Sequence, residues 1–268
     1  MILGYNQERP KAENYRDFEQ ELVSGLTDLR IDGLSLMLYG SYVRGDFDAG
    51  RSDIDGVMIF PDHVVIDKKN LHNASLVLHQ ALRGNHVPFQ VTVTDATTMR
   101  DGRFNSYDPS FQGYFEEEAR ITGIDYRPQI TYELPTMNEQ VPVRFNLRKM
   151  RTGLLFAEHD RHDDYQAFLM KFIKSLDAVS RGSKQILYFV DGKLRKNRFS
   201  AVQLIKETFP EVNPEPLLRI KSAYHNPREL DDMFRNSGEA LRLWNSAVTL
   251  MEEMIRAYIQ RHSRVLTS

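Results

Sequence analysis

The 268-residue sequence contains no cysteine. Disulfide scaffolds, cysteine-ligated zinc, iron–sulfur clusters and thiol nucleophiles are thereby excluded, and a reducing compartment is compatible with the chain. Charge of one sign is not in excess either. Lys+Arg is 35 and Asp+Glu is 37, a net charge of −2, so no bulk attraction draws the protein to nucleic acid and any polyanion site must come from local clustering. No run approaches the ~18 apolar residues of a membrane span, and the opening MILGYNQERPKAENY is too polar for a signal peptide. The expectation is a cytoplasmic protein that does not engage a membrane. A GxxxxGK[ST] phosphate loop is also lacking, which leaves kinase- or ATPase-type chemistry without support. What is present, 41% hydrophobic and 27% charged residues, is the make-up of a soluble globular chain with one large or two modest domains.

The hydrophobic pattern divides the chain in two. In the first half, Phe18, Leu22, Leu26 and Leu29 recur at helical steps over 13–30. Short apolar runs at 34–39 and 53–60 read as buried strands, with a polar, glycine-containing connection between them. A helix is expected over 64–83, a half-exposed alternating strand over 87–95, and a last short strand near 119–126. Residues 127–142 carry three prolines and form a candidate crossing. Beyond them the period is helical almost throughout, with one apolar face through Phe168, Phe172 and Leu176 and another through Trp244, Val248 and Met251. The expected fold class is α+β: a mixed sheet with flanking helices over 1–130 and an all-α bundle over 131–268.

The segment from Leu38 to Phe60 carries the chemistry. A buried strand that ends in Gly40-Ser41 and turns into a helix offers backbone N–H groups and a hydroxyl to a phosphate, and Gly40 permits close approach. Asp53 and Asp55 follow at i and i+2 on a strand, so both carboxylates project from one face. Such paired hard oxygen donors suit Mg²⁺, which binds through one or two carboxylates plus substrate phosphates.

The order of apolar strand, Gly-Ser, a gap of about a dozen residues containing Arg44-Gly45, and Asp-x-Asp between apolar residues resembles the signature of the polymerase-β-like nucleotidyltransferase superfamily. The resemblance is close over 34–60 and extends in element order over 13–130. It implies an enzyme that transfers a nucleoside monophosphate from an NTP, with ATP the expected donor, to an acceptor, releasing pyrophosphate. Asp53 and Asp55 would hold Mg²⁺, and Gly40, Ser41, Arg44, Ser52, Gln90, Arg148 and Lys149 would line the nucleotide site. Arg144, Arg148 and Arg151 lie one helical turn apart and would meet a triphosphate across a cleft, with Lys171 and Lys174 as a second possibility. The helical half resembles the appended domain of aminoglycoside- and lincosamide-type enzymes, implying nucleotide closure and acceptor binding.

The superfamily generally supplies a third carboxylate from a neighbouring strand, and here the aligned position is Gln90, an amide that cannot serve as a base. Three readings stay open. Asp95 turns inward as the third catalytic acid, an acid from elsewhere (Glu116, Glu117, Glu118, Glu158 or Asp160) takes its place, or the protein binds nucleotides without transfer. The expected acceptor is a hydroxyl-bearing small molecule such as an antibiotic. The alternative is RNA (a tRNA end) or a partner protein, suggested by the basic stretch Lys184, Lys193, Arg195, Lys196 and Arg198, which otherwise reads as a solvated loop. Monomer and homodimer are both compatible. The run EHDRHDD with His159 and His162 fits no HExxH pattern and reads as a loop between helices, while His72 and His79 share a helix face with no partner visible in the sequence.

Overall fold

A computed structural model describes residues 10–47, 49–50, 52–105, 107, 109–132, 141–193 and 199–262. The first helix, α1 (Ala12–Asp28), buries Tyr15, Phe18, Leu22 and Leu26 at the spacing of one helical stripe. Strand β1 (Ser35–Tyr39) leads into the one-turn helix α2 (Ser41–Arg44), then β2 (Ile54–Phe60), α3 (Lys68–Asn85), β3 (Phe89–Asp95), α4 (Ala96–Asp101) and β4 (Arg120–Gly123). The helical half comprises α5 (Val141–Asp163), α6 (Tyr165–Asp191), α7 (Ala201–Thr208), α8 (Glu215–His225), α9 (Pro227–Arg235) and α10 (Ser237–Arg261). This is the α+β architecture expected, a mixed sheet with flanking helices followed by helices alone.

The four strands are ordered β3-β2-β1-β4, with β2 and β3 parallel and the other pairs antiparallel. The parallel pair needs a crossover, and α3 supplies it. Alternation splits the strands into two faces. Leu36, Leu38, Ile54, Met58, Val91 and Val93 join the large core with α1, α3 and α5, and Phe18 meets Phe89 edge-on with ring centroids 5.1 Å apart. Met37, Val57 and Ile59 face the other way, onto Tyr107, Phe115 and Tyr126. The large core runs without interruption into the helical half. There Trp244 is wholly buried, 5.8 Å from the Phe168 ring and 6.1 Å from Phe172. A Cβ at Gly153 of α5 would stand 2.6 Å from the Trp244 ring, so the absence of a side chain lets α10 approach α5.

Three expectations are corrected. Strand β3 is buried on both faces except at Gln90, because α5 covers one side and the layer around Tyr107 the other. Helix α3 begins at Lys68 rather than 64, where the Asp67 carboxylate caps it by accepting from the Asn70 N–H at 2.9 Å. The run EHDRHDD is no loop: α5 continues through it to Asp163. Of the basic stretch, Lys184 lies on α6 and Lys193 just beyond it, while Arg195, Lys196 and Arg198 lie outside the described residues, as does 133–140 of the crossing. No helix among the described residues is long and apolar enough to cross a membrane.

Candidate active site

The turn from β1 into α2 is built on Gly40, whose φ of +84° and ψ of −160° belong to a region that side chains rarely enter. A Cβ there would lie 3.0 Å from Asp55 Oδ2. Glycine therefore allows the strand end to lie directly against the carboxylate, and the first-turn N–H groups that follow, beginning at Ser41, have no partner within the helix. The substitution Gly40→Ala is expected to destabilise the fold by about 1–3 kcal/mol, the range for a strained backbone position. It should also displace Asp55. Urea denaturation measures the first effect, and a changed Asp55 titration by NMR the second.

Asp55 stands in register with Tyr39 of β1 and Gln90 of β3, so the three form one row across the sheet. Asp53 precedes β2 by one residue and projects from the same face by alternation. The loop leading to it is held by Tyr15, which donates through its hydroxyl to the Ser52 carbonyl at 2.6 Å and accepts from the Gly50 N–H at 3.1 Å. Rings of Tyr15, Tyr42 and Phe47 pack together beneath that loop, with centroids 4.9 to 6.0 Å apart. Tyr15 lies within the amphipathic stretch 13–30, and nothing in that pattern marks its hydroxyl.

Burial first, and then the neighbouring Asp53 carboxylate, push Asp55 up to about 6, against a partial lowering by Arg148. Two acids that repel each other on a half-buried face are the donor set that a divalent cation relieves. Arg148 of α5 stands opposite. Its charge acts on Asp55, Tyr39 and Tyr107, and it makes no ion pair or hydrogen bond among the described residues. Tyr39 is held well above its ordinary value by burial, then by Tyr107 and Asp55, so it is a neutral hydroxyl at the edge of the site.

Other expected residues are placed elsewhere. Asp95 is the clearest correction: it ends β3 in register with Phe60, five residue pairs from the Asp55 row, or roughly 16 Å along the strand. It is wholly buried and accepts from the Val64 N–H, the Thr98 N–H and hydroxyl, and the Arg151 guanidinium. Strict alternation holds, so no bulge turns Asp95 inward, and its lone pairs are spent on the fold. Arg151 and Arg144 are buried too, Arg144 donating to the Asn105 carbonyl and side chain and to the Tyr107 carbonyl. Of the basic stripe, only Arg148 faces the site. Lys149, about 100° further around the helix, is exposed and lies 4.2 Å above the Phe145 ring.

Arg44 is exposed and paired, at 3.3 Å to Asp46 and 3.0 Å to Glu118. Glu118 is thereby the acid of the 116–118 trio tied to α2. Glu116 accepts from Gln112, and the Glu117 side chain lies outside the described set. Glu158 and Asp160 sit near the far end of α5, where Asp160 pairs with Lys171 at 2.6 Å. At Gln90 the amide is exposed beside Asp55, the place where a third carboxylate is expected.

Residues 19–93 match the family model of the nucleotidyltransferase domain, a span that opens in α1 and closes in β3 and contains Gly40, Ser41, Asp53, Asp55 and Gln90. Comparison with curated proteins gives no match. Among solved structures, the chain is similar to spectinomycin adenyltransferase AAD(9) from Enterococcus faecialis, crystallised with ATP and spectinomycin, at 14% identity and a TM-score of 0.28, over 88% of this chain and 98% of that one. The turn at Gly40, the paired acids of β2 and the row they share with β3 thus all fall within the stretch that matches the nucleotidyltransferase domain model.

Proposed function

We propose that this protein transfers the nucleoside monophosphate of an NTP, ATP being the expected donor, to the hydroxyl of a small acceptor and releases pyrophosphate. The observation that carries the reading is the convergence of Asp53 and Asp55 on the Gly40-Ser41 turn, opposite Arg148, which makes no ion pair or hydrogen bond among the described residues. Asp53 and Asp55 would hold Mg²⁺, which when bound neutralises phosphate charge and favours in-line attack at the α-phosphorus. Ser41 and the first-turn N–H groups of α2 bind the terminal phosphates, and Ser52 keeps the Asp53 loop in place. Arg148 reaches the triphosphate from the helical half and offsets the charge that gathers on the leaving pyrophosphate. Gln90 Oε1 accepts a hydrogen bond from the acceptor hydroxyl and orients it, and the proton passes to water. In this reading residues 1–130 bind the nucleotide, while 131–268 close over it and bind the acceptor.

Purified protein with Mg²⁺ and each NTP, assayed over a panel of aminoglycosides and lincosamides, should release pyrophosphate only when its acceptor is present. Label that instead enters RNA or protein bands would assign a macromolecular acceptor. A second reading is favoured by Gln90: a module that binds NTP without transferring it. Saturable NTP binding with no release under any of these conditions would decide for that reading.

Arg148→Ala should lower kcat/KM for the NTP by at least about tenfold, the size of a charge-assisted hydrogen bond lost to solvent. In the free protein it removes the charge that lowers Asp55, so the Asp55 titration should move above 6. An unchanged titration and unchanged kinetics would remove Arg148 from the site.

A further inference from the structure

The far end of α5 brings histidines from two helices onto one carboxylate. His79 Nδ1 of α3 lies 3.3 Å from Asp163 Oδ2, and His159 Nδ1 of α5 lies 3.2 Å from the same oxygen. The three candidate ligand atoms all lie within 4.8 Å of one another. Neither imidazole nitrogen is engaged in a hydrogen bond, although both atoms are buried. Each contact is within ion-pair distance, but it is an ion pair only when the imidazole is protonated, and two ring nitrogens on one carboxylate oxygen equally suit a shared cation. Both N···O distances are those of adjacent ligands in a tetrahedral site, which with bonds of about 2.05 Å stand about 3.3 Å apart.

We propose that His79, His159 and Asp163 bind a single divalent transition-metal ion of the class that prefers imidazole, for which Zn²⁺ is the natural probe. His159 and Asp163 are one helical turn apart on α5, and His79 closes the set from α3. Two neutral imidazoles and one carboxylate leave a divalent ion with one positive charge. This nitrogen-rich set differs in kind from the all-oxygen pair Asp53 and Asp55, and Mg²⁺ is a poor match for it. A further imidazole, His162, lies beside the site, its ring tilted against that of His79 with centroids 5.3 Å apart, and its Nε2 is 3.6 Å from Glu158 Oε2. His72, one face along α3, pairs with the other oxygen of Glu158 at 3.3 Å. The ion would tie α3, which flanks the sheet, to α5, the helix that carries Arg148. It would therefore act as a clip, eleven residues or roughly 16 Å from the nucleotide-facing turn.

The test uses the full chain after chelation and dialysis, titrated with Zn²⁺ and, for its visible spectrum, Co²⁺. Expected are one equivalent bound, a rise in Tm, tetrahedral Co²⁺ absorption bands, and no competition from excess Mg²⁺. His159→Ala and the milder His79→Gln should each lose that equivalent, while Asp53→Asn should keep it. NMR of the wild-type chain gives an arm that needs no variant, since Zn²⁺ should shift the imidazole signals of His79 and His159. Absence of saturable binding, binding that survives both histidine variants, or shifts confined to other histidines would overturn the proposal.

Discussion

Asp55→Asn is expected to abolish nucleotide transfer and at the same time to make the metal-free protein more stable. The loss of activity should be on the order of 10³-fold, because the amide removes one of the two carboxylates on which charge stabilisation of the reacting phosphate depends. The gain in stability follows from the position of Asp55 between β1 and β3. Its carboxyl titrates at about 6 in the fold against 3.8 in the unfolded chain, raised by burial and by Asp53. Between those values the folded state holds more protons than the unfolded one, so stability falls as pH rises through about 4 to 6 and the deficit is complete above 6. A shift of this size corresponds to at most ~3 kcal/mol, and partial exposure of the site to solvent reduces that to roughly 1–2 kcal/mol. Asparagine does not ionise. Urea denaturation should therefore find the variant more stable than wild type at pH 7.5 and indistinguishable from it at pH 4. Equal stability at both values would mean that Asp55 is solvated, and transfer that persists would place the essential carboxylate elsewhere. Asp53→Asn provides the complementary readout: it removes the repelling charge, so the Asp55 titration should fall toward its ordinary value.

The residues that control this behaviour differ in how visible they are in the sequence. Gly40, Ser41, Asp53 and Asp55 lie within sixteen residues of one another and are joined by strands whose alternation fixes side-chain direction. Local rules therefore place them on one face. Gln90 is also legible, because parallel pairing of β2 with β3 sets it beside Asp55. Arg148 is only half legible. Helical spacing groups it with Arg144 and Arg151, and nothing in that spacing says that its two neighbours are buried in hydrogen bonds to Asn105 and Asp95 while it alone faces the site. Tyr15, whose hydroxyl fixes the loop before Asp53, is separated from its partner Ser52 by 37 positions and looks like any core aromatic. The same limit hid the histidine cluster. A charged run reads as a loop when its apolar contacts are few, and the partner of His159 on α3 is eighty residues away. Contacts between elements distant in sequence, rather than the elements themselves, are what one-dimensional periodicity leaves out.

Arg151→Met is expected to be strongly destabilising, and the same contacts determine how Asp95 should behave. Arg151 donates to Asp95 Oδ2 and Glu252 Oε1, each at 2.9 Å, and to the Val64 carbonyl at 2.6 Å. Glu252 also receives Lys68 Nζ at 2.5 Å. Two cations and two anions thus balance where the end of β3, the start of α3, α5 and α10 meet. The Asp95 and Glu252 side chains are wholly buried and that of Arg151 is 1% exposed, so removing the guanidinium leaves Asp95 without a cation and two buried carboxylates with Lys68 as the one remaining positive charge. Breaking a buried pair in this way costs about 3–5 kcal/mol, or on the order of 10 °C in Tm for a chain of this size. Neutralising all three members is a different matter. The triple variant Asp95→Asn, Arg151→Met, Glu252→Gln leaves no stranded charge, keeps an acceptor for the Val64 and Thr98 N–H groups, and frees Lys68, 16% exposed, to extend toward solvent. It should recover most of the loss, and a triple variant as unstable as Arg151→Met would show that shape, not charge balance, sets the stability here. Asp95→Asn alone then separates fold from chemistry. It should lower Tm yet leave transfer per folded molecule intact, since Asp95 lies five residue pairs from the Asp55 row on the opposite face of the sheet. Loss of transfer in a fully folded Asp95→Asn protein would instead make this carboxylate part of the reaction.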